Sequence, residues 1–329
     1  MSGFSIERST RASRIATPVA VLLVLVLVSL PFWADSSTLR LFVEFACLLT
    51  LAQMWNLLAG YGGLVSVGQQ GFIGIGGYAL FILADLALLN PFACVPLAGL
   101  IAALIAIPTS KIVFRLQGGY FAIGTWVVAE VFRLIAANAS FIGGGSGTSL
   151  TALRGIPKAT RESMTFWMAL AAAVGAIALL YWLLRSRHGL ALTAIRDSER
   201  AAASQGVDIG ATKFWTYVVA AFGCGVAGAI YFLMNLRISP DAAFGVSWAA
   251  FIIFIVVIGG IGTIEGPIIG TLLYFVLRET LADFGTWYLI LLGAIAVVVM
   301  VKFPKGLWGF IAERYDLHLF PVRRRLALD

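Results

Sequence analysis

Charge is scarce in this sequence. Of 329 residues only 12% are Asp, Glu, Lys or Arg, against about 25% in a soluble globular domain. A chain this apolar cannot cover itself with solvated surface. Cysteine is nearly absent. Cys47, Cys94 and Cys224 stand far apart in apolar runs, with no CxxC or Cys/His spacing, so neither a disulfide framework nor a zinc site is indicated. The two histidines, His188 and His318, have no nucleophile or second ligand close by in sequence. Hydrolase and metalloenzyme classes are therefore disfavoured. A GxxxxGK[ST] phosphate loop is missing too, so if ATP drives this protein another chain must bind it. Acidic residues within apolar runs are few. In the first half they are Glu44, Asp85 and Glu130, with no partner cluster. That speaks against an ion-coupled secondary transporter, which needs buried acids at mid-span. A membrane-embedded enzyme would need converging His, Asp or Ser groups, and the sequence does not present them.

What is abundant is apolar sequence. The chain is 60% hydrophobic with a formal net charge of +7. This is the composition of an all-α polytopic membrane protein, with the basic excess in cytoplasmic loops rather than on a nucleic-acid surface. Runs long enough to span lie at roughly 17–34, 40–60, 72–90, 91–110, 119–138, 165–184, 213–235, 246–262, 266–283 and 286–301, which makes about ten transmembrane helices. The first run could pass for a signal peptide, but no small-x-small cleavage site follows it, and it reads as a retained span. Residues 1–16, with Arg8, Arg11 and Arg14, form a cytoplasmic N-terminal segment. Residues 17–302 form the transmembrane domain, and 303–329, with Lys305, Arg314, Arg323, Arg324 and Arg325, a basic cytoplasmic tail. Ten spans place both ends and the 185–212 loop on one side, and all three are basic, as an inside assignment requires.

Glycine interrupts this pattern twice. Residues 60–78 are too glycine-rich and polar for a simple lipid-facing helix. Broken helices of this kind line substrate paths, while Gly74, Gly77 and Ala79 would equally serve close helix packing. Asn56, Tyr61, Ser66, Gln69 and Gln70 are the candidate path residues. The second block, 259–270, is a tight Gly/Pro turn with Glu265 exposed at it, and the two blocks together hint at an inverted repeat. On the fifth span Glu130 and Arg133 lie three apart and share a face, which we read as a structural ion pair. The loop 139–164, external by parity, carries Gly143, Gly144, Gly145 and Gly147 and reads as a flexible mouth or lid.

One long stretch cannot lie in lipid. Arg185, Arg187, Arg196 and Arg200 mark 185–212 as cytoplasmic. It reads as two short helices. The first opens after Gly189 and turns Leu190, Ala194 and Ile195 to one face. The second has Asp197 or Ser198 as N-cap, Glu199 in its first turn and Gly206 as its stop. An ordinary solvated loop is the plainer reading of such a stretch.

The run Glu199-Arg-Ala-Ala-Ala-Ser-Gln-Gly206 resembles the coupling motif by which ABC importer permeases dock on a separate ATPase. Further blocks look like branched-chain amino acid ABC permeases, of the second of two paralogue types. They are Asn56 to Gln69, Phe72 to Tyr78, Gly119 to Thr125, Glu130 to Arg133, Gly143 to Gly147, Gly189 to Asp197, Gly259 to Pro267 and Phe303 to Leu307. Gln69, and Ile142-Gly143-Gly144, depart from the family's usual residues. The resemblance implies a type II ABC importer-like permease of a bacterial inner membrane, with both termini cytoplasmic. It implies a sister permease in a heterodimer, two cytoplasmic ATPase subunits and an external substrate-binding protein. No cofactor is implied on this chain; ATP and Mg belong to the partner ATPase. Coupling would run through Gly189, Ala194, Arg196, Asp197, Glu199, Ala201, Ala202 and Gly206. The implied cargo is a branched-chain or related amino acid, with urea or an amide as the alternative, since those importers share most of the motifs.

Overall fold

A computed structural model describes residues 4–7, 11–281, 287–315, 317, 319–320 and 325–328. Of the basic ends, Arg8, Arg323 and Arg324 lie outside the described residues, as does His318.

The chain is a bundle of helices. In order they are α1 (Arg11–Ser29), α2 (Ser36–Asn56), α3 (Gln69–Phe81), α4 (Pro91–Val113), α5 (Gly119–Asn138) and α6 (Lys158–Leu184). The short α7 (Arg187–Asp197) and α8 (Glu199–Ser204) follow, then α9 (Ile209–Asn235), α10 (Pro240–Phe244), α11 (Ser247–Gly259), α12 (Glu265–Leu281), α13 (Trp287–Lys302) and α14 (Gly306–Tyr315). Two minimal ladders complete it. Strand β1 (Phe4–Glu7) pairs antiparallel with β4 (Arg325–Leu328), and β2 (Thr148–Ser149) with β3 (Arg237–Ile238). The first pairing holds both chain ends on one side of the bundle.

Among the described residues seven helical segments are long and apolar enough to cross a membrane. The apolar part of α1, Ala16–Phe32, falls short of that length, and α12 has 17 residues. At about 1.5 Å per residue α12 reaches about 25 Å, less than a hydrocarbon core of about 30 Å.

α9 is the axis of the bundle, packed directly by α3, α4, α2 and α6, and α2 in turn packs on α6, α11 and α12. Small residues make this possible. A Cβ on Gly76 of α3 would stand 2.0 Å from the carbonyl oxygen of Gly225 on α9, so the two backbones touch directly. Without a hydrophobic drive between helices in lipid, such contact supplies much of the association. α1 and α13 are exposed along most of their length, with Leu22, Leu25, Val297 and Val301 open to the surroundings.

The two glycine blocks lie side by side, where Gly262 N–H donates to Asn56 Oδ1 at 2.8 Å. Three expectations change. Glu265 is buried, not exposed, and accepts the Phe320 N–H at 2.9 Å as the tail folds back. The loop after α5 is pinned rather than loose. Leu150 N–H donates to Leu236 O, and Asp85 accepts from Thr151 N and Ala152 N, the latter at 2.7 Å. Finally, Leu190 faces away from the bundle, because α7 starts at Arg187 under a Ser186 cap and buries Gly189, Leu192 and Ile195 instead. Ala194 is half-buried.

Candidate functional site

Two capped helices make up the loop outside the bundle. Ser186 Oγ accepts His188 N–H at the start of α7, and Ser198 Oγ accepts Ala201 N–H at the start of α8. A serine at this position satisfies one of the N–H groups a helix start leaves open. Glu199 in the first turn of α8 pairs with Lys213 on α9 at 2.6 Å, which fixes α8 against its own chain. Gly206 then turns the chain with φ of +81°. Leu190 is 72% exposed, and Asp197, Glu199, Arg200, Ala201 and Ala203 are exposed with it, whereas Ala202 is packed inward.

The inner side of α7 rests on the broken end of α2. There the helix widens into a π turn, Leu57–Tyr61. Residues 62–68 follow without regular structure before α3 begins. At membrane depth such backbone must find partners inside the protein, and it does. Trp55 Nε1–H donates to Ser66 O at 2.7 Å, and Val67 N–H to Thr125 Oγ1 at 3.1 Å. Arg196 of α7 donates through Nη1 to Gly60 O at 2.9 Å, and its remaining nitrogens face Asp197. Asn56 clamps the second glycine turn, donating from Nδ2 to Thr263 O at 2.8 Å while Oδ1 accepts Gly262 N–H. Gln53 donates to Ile264 O at 2.8 Å. A Cβ on Gly60 would stand 2.6 Å from Gly262 N, so the two turns are in backbone contact.

All five candidate path residues are buried. Asn56 and Tyr61 stand at the clamped turns, and Ser66 Oγ accepts Gly68 N–H. Gln69 and Gln70 open α3. The Cys224 thiol donates to Gln69 Oε1 at 3.2 Å. Among the described residues, Gln69 Nε2, both amide atoms of Gln70 and the Tyr78 hydroxyl have no hydrogen-bond partner. Buried polar atoms are ordinarily satisfied, so α3 carries polar groups beyond what the described fold uses.

The ion pair Glu130–Arg133 forms at 2.6 Å and is larger than its sequence spacing indicates: Arg133 Nη1 also reaches Asp241 of α10 at 2.7 Å. Sequence reasoning missed two further links. Arg278 of α12 holds Glu44 of α2 through two bonds, of 2.5 and 3.0 Å, and Asp85 anchors the loop after α5 at Thr151 and Ala152. No local pattern could have announced either, since the partners stand 234 and 66 residues apart.

A helical membrane bundle with glycine-broken spans, and a capped two-helix loop seated on the breaks, has the build of a transport permease. The chain belongs to the family of branched-chain amino acid transport system permease components, whose model matches residues 37–300. It is 28% identical over 317 residues to the high-affinity branched-chain amino acid transport system permease protein LivM of Escherichia coli K12, covering 87% of this chain and 73% of that one. The LivM of Salmonella typhimurium is also 28% identical, over 315 residues, with the same coverage of 87% and 73%. A probable LivM of Methanocaldococcus jannaschii is 25% identical over 240 residues, 67% of this chain and 68% of that one. No solved structure matches.

Proposed function

We propose that this chain is the transmembrane subunit of an ATP-driven importer. It moves branched-chain or related amino acids across the bacterial inner membrane, with N- and C-termini cytoplasmic. The seven apolar segments together with α1, α3 and α12 make ten spans. This count puts β1, β4 and the α7–α8 loop on one side, in agreement with the pairing of the chain ends. A separate ATPase dimer binds ATP and Mg and docks on α7–α8. A sister permease completes the pathway, and an external protein delivers substrate at the loops around 139–164 and 236–245.

The observation that carries this reading is the loop geometry. An apolar side chain, Leu190, stands exposed on the capped extramembrane helix α7, and the small Ala201 is exposed on α8, which follows it. On its other side α7 is bonded to a broken span. Such a helix is suited to receive a partner and pass on its motion. Gln69 and Gln70 remain our proposed path-lining pair, supported by their unsatisfied amides. Asn56 serves the path by holding the two turns together. Each of Glu44, Asp85 and Glu130 has a structural partner, which leaves an ion-coupled carrier without an evident free acid among them.

The test is co-purification in detergent of this chain with its candidate ATPase and sister permease. ATPase activity is then followed as binding protein loaded with leucine, urea or an amide is added. Stimulation by leucine is expected. A chain that purifies without ATPase and moves solute down an ion gradient in liposomes would refute the proposal.

A further inference from the structure

Arg196 belongs to the exposed loop, yet its guanidinium points into the bundle. The last carbonyls of a helix have no N–H of a further turn to donate to them, and Arg196 Nη1 donates to that of Gly60. A cation is favoured at such a helix end. The same guanidinium also borders the second turn, since a Cβ on Gly262 would stand 3.3 Å from Nη1. The α7 backbone is close as well: a Cβ on Gly63 would stand 3.4 Å from Arg196 Cα. Asn56 ties the turns at Gly60 and Gly262 to each other. One side chain of the loop is therefore bonded to the broken end of α2 at Gly60 and lies beside the α11–α12 turn at Gly262.

We propose that Arg196 is the positioning residue that transmits movement of α7 into the spans: a displacement of the loop is delivered through its guanidinium to the joined turns of α2 and α11–α12. Asp197, accepting from Nε and Nη2, holds the guanidinium plane in place. This deepens the docking reading above and rests on it. Docking itself belongs to the outward face, at Leu190 and Ala201, and transmission to the inward face, at Arg196. The two faces can be broken separately.

The experiment uses the assembled complex of this chain, its sister permease and the ATPases in lipid nanodiscs. Spin labels go on the exposed positions Phe141→Cys and Ile261→Cys; Cys47, Cys94 and Cys224 are buried, which favours labelling of the introduced pair. The inter-label distance is read by pulsed EPR with and without ATP and vanadate. In the otherwise native complex a nucleotide-dependent shift is expected. Arg196→Gln leaves the outward face at Leu190 and Ala201 untouched and should keep the ATPase bound, while the shifted population falls by about fivefold or more, the lower range of ordinary coupling between sites. Arg196→Lys keeps a charge and one donor for Gly60 O and should recover part of the shift, which a purely steric role would not produce. An unchanged shift in Arg196→Gln, no shift in the native complex, no recovery in Arg196→Lys, or loss of bound ATPase in Arg196→Gln would each overturn the transmission role. Leu190→Asp separates the two readings: if it leaves the ATPase fully bound, it is the docking surface that fails.

Discussion

Arg278 and Glu44 join α12 to α2 across most of the sequence, and breaking them one at a time gives a quantitative test. The side chains are 27% and 23% exposed and make two hydrogen bonds. Arg278 also lies over the Phe275 ring at 4.8 Å. Removing one partner of a fully buried pair costs about 3–5 kcal/mol, and an exposed pair is worth about 0.2–1 kcal/mol. At this intermediate exposure Glu44→Gln should destabilise by about 2 kcal/mol, because it leaves the arginine charge without its counter-charge. Arg278→Gln keeps much of the stem over Phe275 and should lose a similar amount. The double variant should lose clearly less than the sum, with a coupling of about 1–2 kcal/mol in the double-mutant cycle. The assay is unfolding of the purified chain by SDS titration, followed by tryptophan fluorescence. ATP-dependent uptake in proteoliposomes containing the whole complex should survive Glu44→Gln. Additive losses would refute a direct interaction. Uptake that lost an ion dependence along with Glu44 would refute the structural role given to this acid.

Gly76→Leu should abolish folding, since even its Cβ would lie 2.0 Å from Gly225 O; the yield of monodisperse protein in detergent reads this out. Gly206→Ala meets nothing within 4 Å and is opposed only by φ of +81°. It should cost about 1 kcal/mol and weaken ATPase co-purification far less than Leu190→Asp. Asp85→Ala removes the acceptor for Thr151 and Ala152 N–H, so the 139–157 loop should become a protease-sensitive site in intact vesicles. Asp35, at the N-cap of α2, has its carboxyl held below the usual aspartate range by the hydroxyls of Ser37 and Thr38. A depressed folded-state pKa stabilises above the unfolded value and is lost on acidification. Native protein should therefore lose this contribution as the pH falls below about 4. Asp35→Ala should remove that component of the pH dependence in thermal melts.

The class of protein, seven of the ten expected spans and the helical loop were legible locally. Low charge and long apolar runs specify a membrane bundle whatever the packing. Ser198, Glu199 and Gly206 are end signals for a short helix, and the structure forms α8 between them. The glycine blocks announced broken or closely packed helices, and both occur: irregular backbone over 62–68, and Gly76 against Gly225.

Tertiary structure alone decided which faces meet. A helix that is apolar all round carries no amphipathic stripe, so its sequence does not say which side packs on protein and which on lipid. Leu190 was assigned to the wrong face because α7 starts at Arg187 under its Ser186 cap rather than after Gly189, and Glu265 read as exposed because Phe320, which donates to it, stands 55 residues away. The polar links are silent in sequence for a related reason. Arg196 with Gly60, Asn56 with Gly262, Glu44 with Arg278 and Asp85 with Ala152 are separated by 136, 206, 234 and 67 residues. Each side chain's chemistry states that it needs a partner; only the chain's path in three dimensions supplies one.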